Sequence, residues 1–306
     1  GIRDAQESRG LRDVYKRQLF VIPFADNRGQ WMNNYAIKHY TADKYCGKAN
    51  AGGTIGPVPT LYYEYDRNDR RRDISCIPYR WNGGRQELEN IQKWYSGKYR
   101  YEWMNEVVSG NDCGIKPIVM RYADVLLMAA EAANELNDLP YAKEQLRKVR
   151  FRAFKSNNTV DAYLDAIGSK DAMFKAIYRE RMLEFSCEQI RKQDLIRWNL
   201  LKTNMDKVKQ DMYDLRTLSG GYADVPAYVF WKYKSNAAGE REIVWYGLNR
   251  GETAPGTEGQ QITDQAALDA WMKAGGWRNW NPSGNAAPAP ATPSLWITSS
   301  ASSGYL

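Results

Sequence analysis

The sequence of 306 residues has a single histidine, His39, and four cysteines that stand apart from one another: Cys46, Cys76, Cys113 and Cys187. A Ser-His-Asp triad or a histidine-based metal site would have to use His39 alone. No Cys-x-x-Cys pair is present, which excludes zinc-ribbon and thioredoxin-like motifs, and we expect free thiols because a chain of this size needs no disulfides. These absences favour a binding protein over a hydrolase and predict neither a metal site nor a cofactor.

Long apolar runs are absent as well. The longest is Val125–Ala130, which is far shorter than the roughly 18 residues of a membrane-spanning helix. No charge sign dominates, because 43 Lys and Arg residues face 36 Asp and Glu residues for a net charge of +7. A modest charge spread over both signs is weak evidence for a nucleic-acid partner, so we predict none.

Tyrosine and tryptophan are abundant, since the chain has 21 Tyr and 11 Trp but 7 Phe. A group of these rings falls in the turn-rich region 19–115: Trp31, Tyr35, Tyr62, Tyr63, Tyr65, Trp81, Trp94 and Trp103. A single ring is more often packed beneath a loop, but exposed aromatic clusters mark binding sites, where rings can stack on sugars. We predict a ligand site with at least two exposed rings in one concavity, drawn from Trp31, Tyr62, Tyr63, Trp81 and Trp94.

The patterns within region 19–115 are short and weakly periodic. Gly52-Gly53 and Gly83-Gly84 predict turns. We predict short strands at Thr60–Tyr65 and Gly97–Trp103 and one helix at Arg85–Tyr95. Long ordered loops are expected to connect them.

Region 117–204 has the clear period of amphipathic helices. Four helices are predicted there: Met120–Asn137, Tyr141–Ala153, a third capped by Ser169 or Asp171, and Gln193–Thr203. The helix pairs Arg121–Ala153 and Ala172–Asn204 are equal in length and close to the roughly 34-residue period of tetratricopeptide-type repeats. Two units are fewer than the roughly three that a solenoid needs, so another part of the protein must cover their faces.

Region 205–306 is expected to be largely irregular. It should contain a hairpin with strands at Tyr228–Lys234 and Arg241–Leu248 and a short helix at Asp264–Lys273. We interpret the polar, aperiodic residues 1–18 as a non-native leader and the Ala/Pro/Ser-rich residues 283–306 as a disordered or spurious tail. A single domain over 19–282 remains.

Three charged motifs admit two interpretations each. Glu180 and Glu184, four residues apart on a predicted helix, could be the two carboxylates of a glycosidase, but on an arginine-rich helix they more often form ion pairs with a neighbouring helix. Asp194 and Arg197 are interpreted as ion-pair partners that link helices. The run Arg67–Asp73 could bind phosphate, but its interleaved charges favour a solvated, self-paired turn.

Two blocks of sequence are more distinctive. Residues Lys116–Ala132 read Lys-Pro-Ile-Val-Met-Arg-Tyr-Ala-Asp-Val-Leu-Leu-Met-Ala-Ala-Glu-Ala, and Glu180–Phe185 are followed by Glu188, Arg191 and Asp194–Trp198. The two blocks resemble the signature segments of the SusD/RagB family of outer-membrane nutrient-binding lipoproteins.

Two smaller segments strengthen this resemblance. Val149–Ala153 is similar to the end of the family's second helix, and Arg67–Asp73 resembles its Asp-Pro-Arg-Arg turn, with Arg70 in the place of proline. The matches together span roughly residues 60–200. The family's lipidated cysteine is not found and residues 1–18 look non-native, so we interpret the chain as the C-terminal portion of a SusD-like domain. The family's closing Pro-Ile-Pro and Asn-Pro-Gly-Tyr patterns are not found either, which agrees with a spurious tail at 283–306.

The resemblance implies a mainly α fold, with tetratricopeptide-like helical repeats at 117–204 and a loop-rich, partly β ligand-binding region packed on them. It also implies a lipid-anchored, non-catalytic protein on the outer membrane of a Bacteroidetes-type cell. Such a protein would bind an oligosaccharide or another nutrient and deliver it to a SusC-like TonB-dependent transporter. The signature segments belong to the scaffold and identify no ligand contacts.

Two alternatives remain open. A repeat scaffold could bind a protein or peptide partner in a groove on residues 117–204, provided that residues 19–115 do not cover that face. A glycoside hydrolase would need two carboxylates about 5–10 Å apart in an open cleft.

Overall fold

A computed structural model of the chain describes residues 18–25, 28–89, 93–226, 229–235, 241–252 and 265–279, and the account below is confined to them. The expected leader and tail lie outside these residues, except that Gln18 begins the first strand. Whether residues 19–282 form a single domain stays a prediction.

The part of the structure between residues 28 and 115, which we call the loop region, holds only short elements. Together with the strand that precedes it, it contains β1 (Gln18–Val21), α1 (Trp31–Tyr35), α2 (Thr60–Glu64), α3 (Arg72–Ser75), β2 (Tyr79–Asn82), β3 (Arg85–Leu88) and a 3-10 turn at Tyr101–Trp103. Isolated backbone bridges, such as the one between His39 and Ala51, join the long loops to one another.

Three predictions for the loop region are wrong. Thr60–Tyr65 forms α2 rather than a strand, Gly97–Trp103 forms a bridge and the 3-10 turn, and Arg85–Tyr95 begins as β3 rather than as a helix. Gly83 and Gly84 explain the last error, because their φ angles of 56° and 72° make a tight turn that folds β3 back onto β2. Pairing with a neighbouring strand therefore outweighs the helical spacing.

Strand β4 (Ile118–Arg121) pairs with β1 and leads into a series of helices: α4 (Tyr122–Glu135), α5 (Leu139–Phe154), α6 (Asn157–Asp165), α7 (Lys170–Glu184), α8 (Arg191–Arg197) and α9 (Leu201–Thr217). Side-chain caps fix three of the starts. Asp138 accepts the amide of Tyr141 at α5, Ser156 that of Thr159 at α6, and Ser169 that of Ala172 at α7. None of the helices in the described segments is long and apolar enough to cross a bilayer.

Helices α4 to α7 form one unit, which we call the helical core. Their apolar stripes meet in a single cluster: Leu126, Leu127, Ala130, Leu146, Val149, Val160, Met173 and Ile177. The predictions of α4, α5 and α7 are confirmed, whereas α6 was not predicted. The helix expected at Gln193–Thr203 is interrupted by Asn199 at φ 55°, and α9 continues to Thr217, where irregular structure was expected.

The C-terminal part contains β5 (Phe230–Ser235), β6 (Arg241–Tyr246), α10 (Gln265–Gly275) and β7 (Arg278–Asn279). The predicted hairpin and helix are confirmed, and the three strands form a sheet in the order β6-β5-β7. This sheet is attached to β3, because Gln86 Oε1 accepts the Ile243 amide at 3.0 Å and the Gln86 carbonyl accepts the Tyr233 hydroxyl at 3.1 Å.

The loop region packs directly on the helical core. Tyr65 Oη donates to the Leu183 carbonyl at 2.7 Å, and Lys98 Nζ donates to the Glu184 carbonyl at 2.8 Å. The C-terminal half of α7 is therefore covered by the loop region. An open groove at this face, which the protein-scaffold alternative requires, is not available.

Candidate functional site

The five rings predicted to bind a ligand do not form an exposed cluster. Tyr62, Tyr63, Trp81 and Trp94 are buried, with exposed fractions of 2%, 7%, 8% and 2%, and Trp31 is half-buried. The prediction that at least two of them are exposed together is wrong. The rings instead serve as the apolar core of a region that has few aliphatic side chains to bury.

The structure divides the five rings among three clusters. Tyr62 lies 5.3 Å from Tyr63 and 5.2 Å from Trp94 between ring centroids, and this group packs against the helical side of the molecule with Leu183 and Leu215. Trp81 belongs to a second cluster and Trp31 to a third. Their separation follows from the fold, because each long loop closes over its own small core.

Tyr40 is the aromatic side chain that the loop region exposes. Of the rings described between residues 28 and 115, it alone is exposed, with 49% of its surface accessible. Its backbone lies between two neighbours, because the Tyr40 amide donates to the Trp81 carbonyl at 2.8 Å and the Asn50 amide donates to the Tyr40 carbonyl at 3.2 Å. The ring is therefore presented by a fixed backbone.

One charged side chain lies over this ring, and polar groups lie on the neighbouring segments. The Arg80 guanidinium lies 4.9 Å from the centroid of the Tyr40 ring, and Lys38 Nζ donates to the Asn50 carbonyl at 3.0 Å. Asn82 Oδ1 accepts the Thr41 hydroxyl at 2.9 Å, so its amide is held in one orientation. We call Lys38, Tyr40, Asn50, Arg80 and Asn82 the Tyr40 surface.

The residue before Tyr40 anchors this surface from within. His39 is fully buried, and its Nδ1 lies 2.8 Å from Asp43 Oδ2. The other oxygen of Asp43 accepts the amides of Tyr45 and Cys46 at 2.8 and 3.0 Å. His39 also stacks on Trp81, with 6.1 Å between ring centroids. The chain's single histidine is a structural residue of the loop that carries Tyr40.

The electrostatics of the Tyr40 surface are dominated by cations. Burial lowers the pKa of the Lys38 ammonium, and the nearby charge of Lys93 lowers it further. Glu89 offsets part of this effect, whereas Lys48 and Arg80 add to it. The positive charges are therefore close enough to destabilise one another.

The carboxylates Glu180 and Glu184 are structural, as predicted. Glu180 is fully buried between Arg71 and Arg150, each at 2.7 Å. Glu184, 2% exposed, contacts Arg71, Arg121 and Arg152. Burial opposes the ionisation of Glu184, but these arginines outweigh it and hold the pKa of its carboxyl well below the ordinary value. Neither group faces the open cleft that glycoside hydrolysis by this pair would need.

The run Arg67–Asp73 agrees with its prediction in part. It is self-paired, since Arg71 pairs with Asp69 at 2.6 Å and Arg72 with Asp73 at 2.8 Å, and four of its residues are exposed: Arg67, Asn68, Arg70 and Asp73. It is not wholly solvated, because Asp69 is 2% exposed and Arg72 is 9% exposed. Arg71 also reaches Glu180 and Glu184, so the run contacts α7 through buried side chains.

The other charged motif behaves as predicted. Asp194 accepts Arg181 of α7 at 2.7 Å and Arg197 at 3.0 Å, and Arg197 also reaches Glu131 of α4. These contacts join α8 to α4 and α7.

Two further expectations concern cysteines and metals. The four cysteines are free, as expected. No group of three or more His, Cys, Asp or Glu side chains that could hold a metal ion occurs within the described residues.

Tyr40 was missed by the sequence analysis, and its neighbours carry no dependable signal of exposure. It stands between Lys38-His39 and Thr41. Rings with similar polar neighbours are buried, as Trp81 is between Arg80 and Asn82 and as Tyr99 is between Lys98 and Arg100. The exposure of Tyr40 therefore follows from tertiary packing.

The sequence is similar to those of known proteins. The sequence profile of the SusD family matches residues 77–246. The SusD-like protein P25 of Formosa agariphila is 46% identical over 85 residues, which are 28% of this chain and 15% of that protein. The SusD-like protein P38 of the same organism is 36% identical over 103 residues, 33% of this chain and 20% of that protein.

A solved structure has a similar fold. A SusD homolog from Bacteroides thetaiotaomicron superimposes with a TM-score of 0.50 and 22% sequence identity, over 64% of this chain and 41% of that one. At this identity the likeness concerns the fold. The chain spans less than half the length of each of these proteins.

Proposed function

The chain belongs to the SusD family, and on that premise we propose that it is a non-catalytic protein that binds a glycan at the cell surface. The observation that carries the proposal is the exposed ring of Tyr40, held on a rigid backbone and bordered by amide and cationic side chains. An aromatic face beside a few polar groups is the usual composition of a site that binds an amphipathic ligand.

The Tyr40 surface supplies both kinds of contact that a sugar needs. The apolar face of a pyranose can stack on the Tyr40 ring, while the side chains of Asn50 and Arg80 reach its hydroxyl groups. Among the five rings predicted from sequence, Trp81 enters this proposal as a support, because it packs against His39 beneath the surface. No carboxylate pair is assigned to chemistry, since Glu180 and Glu184 are bound by arginines.

We also propose the cellular setting that family membership suggests. The full-length protein would be attached to the outer membrane by an N-terminal lipid, face the exterior, and deliver its ligand to a SusC-like TonB-dependent transporter. Exposed apolar side chains of the described residues support a contact with another protein. Large exposed apolar side chains concentrate on or beside β1, β4, α4 and α5: Leu19, Phe20, Ile22, Val119, Met120, Tyr122, Met128, Leu136, Tyr141 and Phe151.

The test is a panel of neutral and acidic polysaccharides presented to the whole chain in affinity electrophoresis, followed by calorimetry on any that bind. Tyr40→Ala is expected to weaken binding by about 30-fold, since a stacking anchor contributes about 2 kcal/mol. Tyr213→Ala is the matched control, because Tyr213 is 59% exposed on α9, away from the Tyr40 surface in sequence.

Two results would decide against the proposal. Retention of full affinity by Tyr40→Ala would place the ligand elsewhere on the protein. Release of a shortened sugar from a bound polysaccharide would show turnover and end the non-catalytic assignment.

A further inference from the structure

Positive charge is concentrated around Tyr40. Arg80 lies over the Tyr40 ring, and Lys38 donates to the carbonyl of Asn50, whose amide donates to Tyr40. Burial is the largest cause that lowers the pKa of Lys38, and the charges of Lys93, Lys48 and Arg80 add to it. The carboxylates described beside them are Glu87 and Glu89, which contact Arg80. The described side chains of this surface therefore carry an excess of cations over carboxylates.

The carboxylates on this surface are only loosely matched to the cations. Arg80 lies 3.6 Å from Glu87 and 3.5 Å from Glu89, distances beyond those of a tight charge-assisted hydrogen bond. Its buried Nε–H has no partner within the described structure. Glu89 instead accepts the Tyr95 hydroxyl at 2.6 Å. Arg80 is therefore held by its carboxylates less tightly than the arginines of the helical core, and its half-buried guanidinium lies against the exposed Tyr40 ring.

The ammonium groups of Lys38 and of the nearby Lys48 and Lys93 contact neutral groups. Lys38 donates to the Asn50 carbonyl, and Lys48 donates to Asn111 Oδ1. The Lys93 ammonium lies 5.8 Å from the centroid of the Tyr95 ring. Neutral acceptors and aromatic rings fix these ammonium groups without cancelling their charge.

The helical core shows how this chain treats cations that have only a structural role. Arg150 meets Glu180 at 2.7 Å, and Arg181 meets Asp124 at 2.7 Å. Compared with these tight pairs, the cations around Tyr40 are crowded, partly exposed and poorly neutralised. An anionic group placed among them would relieve their repulsion and gain charge-assisted hydrogen bonds.

We propose that the Tyr40 surface binds an acidic glycan, whose sulfate or carboxylate groups lie among Lys38, Arg80 and Lys93 while a sugar ring stacks on Tyr40. The proposal rests on the proposed function and specifies its ligand class. Sulfate and carboxylate share the chemistry of a compact anionic oxygen group, and the test separates them.

The experiment presents the whole chain with polysaccharide pairs that differ in charge. One pair is dextran and dextran sulfate, and the other is fully methyl-esterified pectin and de-esterified polygalacturonate. At low salt, the charged member of at least one pair should bind about tenfold more tightly than its neutral partner, and this advantage should shrink as salt is added. The pair that shows it identifies the anionic group.

Matched variants distinguish binding at a specific site from attraction by the net charge of the protein. Lys38→Gln and Lys93→Gln should each weaken binding of the charged polysaccharide by about three- to tenfold. Lys209→Gln removes the same charge from an exposed position of α9 and should leave binding unchanged. Equal losses in all three variants would mean that binding follows net charge, and the inference would be wrong.

The remaining outcomes distinguish this inference from the proposed function. If neutral and charged members bind equally and Tyr40→Ala weakens both, the glycan-binding function stands and the acidic ligand class is wrong. If no polysaccharide of either kind is retained, both proposals fail.

Discussion

The helical core and the loop region bury different kinds of apolar side chain. In the helical core, aliphatic side chains repeat along α4 to α7 and meet in one cluster. In the loop region, aromatic rings from distant positions form several small clusters. Helices repeat a pattern that packs on its neighbours, whereas irregular chain must bury whatever large side chains it carries.

The two regions also differ in how they satisfy polar groups. The buried charges Arg181 and Asp124 of the helical core are matched at 2.7 Å, and Arg181 also meets Asp194 of α8 at 2.7 Å. In the loop region, the buried Trp81 Nε1, Tyr101 Oη and His39 Nε2 have no hydrogen-bond partner within the described structure. Large rings thus bring polar atoms into the core that the loops do not fully pair. This difference predicts that the helical core contributes more to the stability of the protein than the loop region does.

Glu184→Gln should have the largest effect, because Glu184 joins the two regions. The substitution leaves Arg71, Arg121 and Arg152 without their shared anion, and breaking a buried ion pair costs about 3–5 kcal/mol. The free energy of unfolding from urea titration measures it. Glu144→Gln is the control, since Glu144 is 58% exposed beside Lys148 and should leave the free energy of unfolding nearly unchanged. Similar losses in both variants would refute the structural role of Glu184.

Leu146→Ala tests the prediction that the helical core contributes more to the stability than the loop region does. Leu146 is fully buried at the centre of the core cluster, and truncation of such a leucine costs about 2.7–5 kcal/mol. Urea unfolding monitored by circular dichroism at helix wavelengths gives the value. Leu136→Ala, at a position that is 80% exposed after α4, should change stability by less than about 0.5 kcal/mol. A small loss at Leu146 would overturn the ranking of the two regions.

Acidification should weaken the link between the regions before it affects the aliphatic core. Burial opposes ionisation of Glu188 as it does of Glu184, but Arg121 and Lys98 lower its pKa below the ordinary value. Because the unfolded chain binds these protons more readily, the stabilisation is complete above a pH of about 4.5 and is lost as the pH falls through the lower folded pKa values. The loss amounts to about 1.4 kcal/mol for each unit of pKa difference.

The measurement is the free energy of unfolding as a function of pH for the wild type and Glu184→Gln. The wild type should lose its advantage over the variant as the pH falls below about 4.5. A constant difference down to strong acid would show that Glu184 does not contribute through its charge.

Two tyrosine substitutions should have the smallest effects on stability. They compare the loss of a hydrogen-bonded hydroxyl with the loss of an unpaired one. Tyr65→Phe removes a hydroxyl that donates to Leu183 at 2.7 Å and should cost about 1 kcal/mol. Tyr101→Phe removes a buried hydroxyl with no described partner and should be neutral or slightly stabilising. Thermal unfolding of both variants measures the difference, and a larger loss for Tyr101→Phe would mean that its hydroxyl is paired after all.

The helical core could be predicted from the sequence because its information is local. Leu126, Ala130 and Ala133 follow the helical period, and Ser169 marks the start of α7 by its capping preference. Helix α6 was missed even though Ser156 caps it, because its apolar stripe, Val160 and Leu164, is too short to stand out.

The ligand surface could not be predicted in the same way. Whether a ring is exposed depends on residues far away in sequence, as in the contact between Tyr62 and Trp94. The prediction of a helix at Arg85–Tyr95 was wrong for the same reason. Strand β3 is stabilised by pairing with β2 and by the contact of Gln86 with Ile243, which is distant in sequence. Family membership predicts the fold, but it does not predict which aromatic rings are exposed.

The anchored backbone around Tyr40 has a consequence for how fast a ligand is captured. His39 is bonded to Ala51 in both directions, and Tyr40 is bonded to Trp81, so the surface is shaped before any sugar arrives. Ordering a loop residue costs about 1–2 kcal/mol of conformational entropy. Because this loop is already ordered when the protein folds, that cost does not reduce the free energy of ligand binding. Association should then be a single concentration-dependent step, with no slow rearrangement following the encounter.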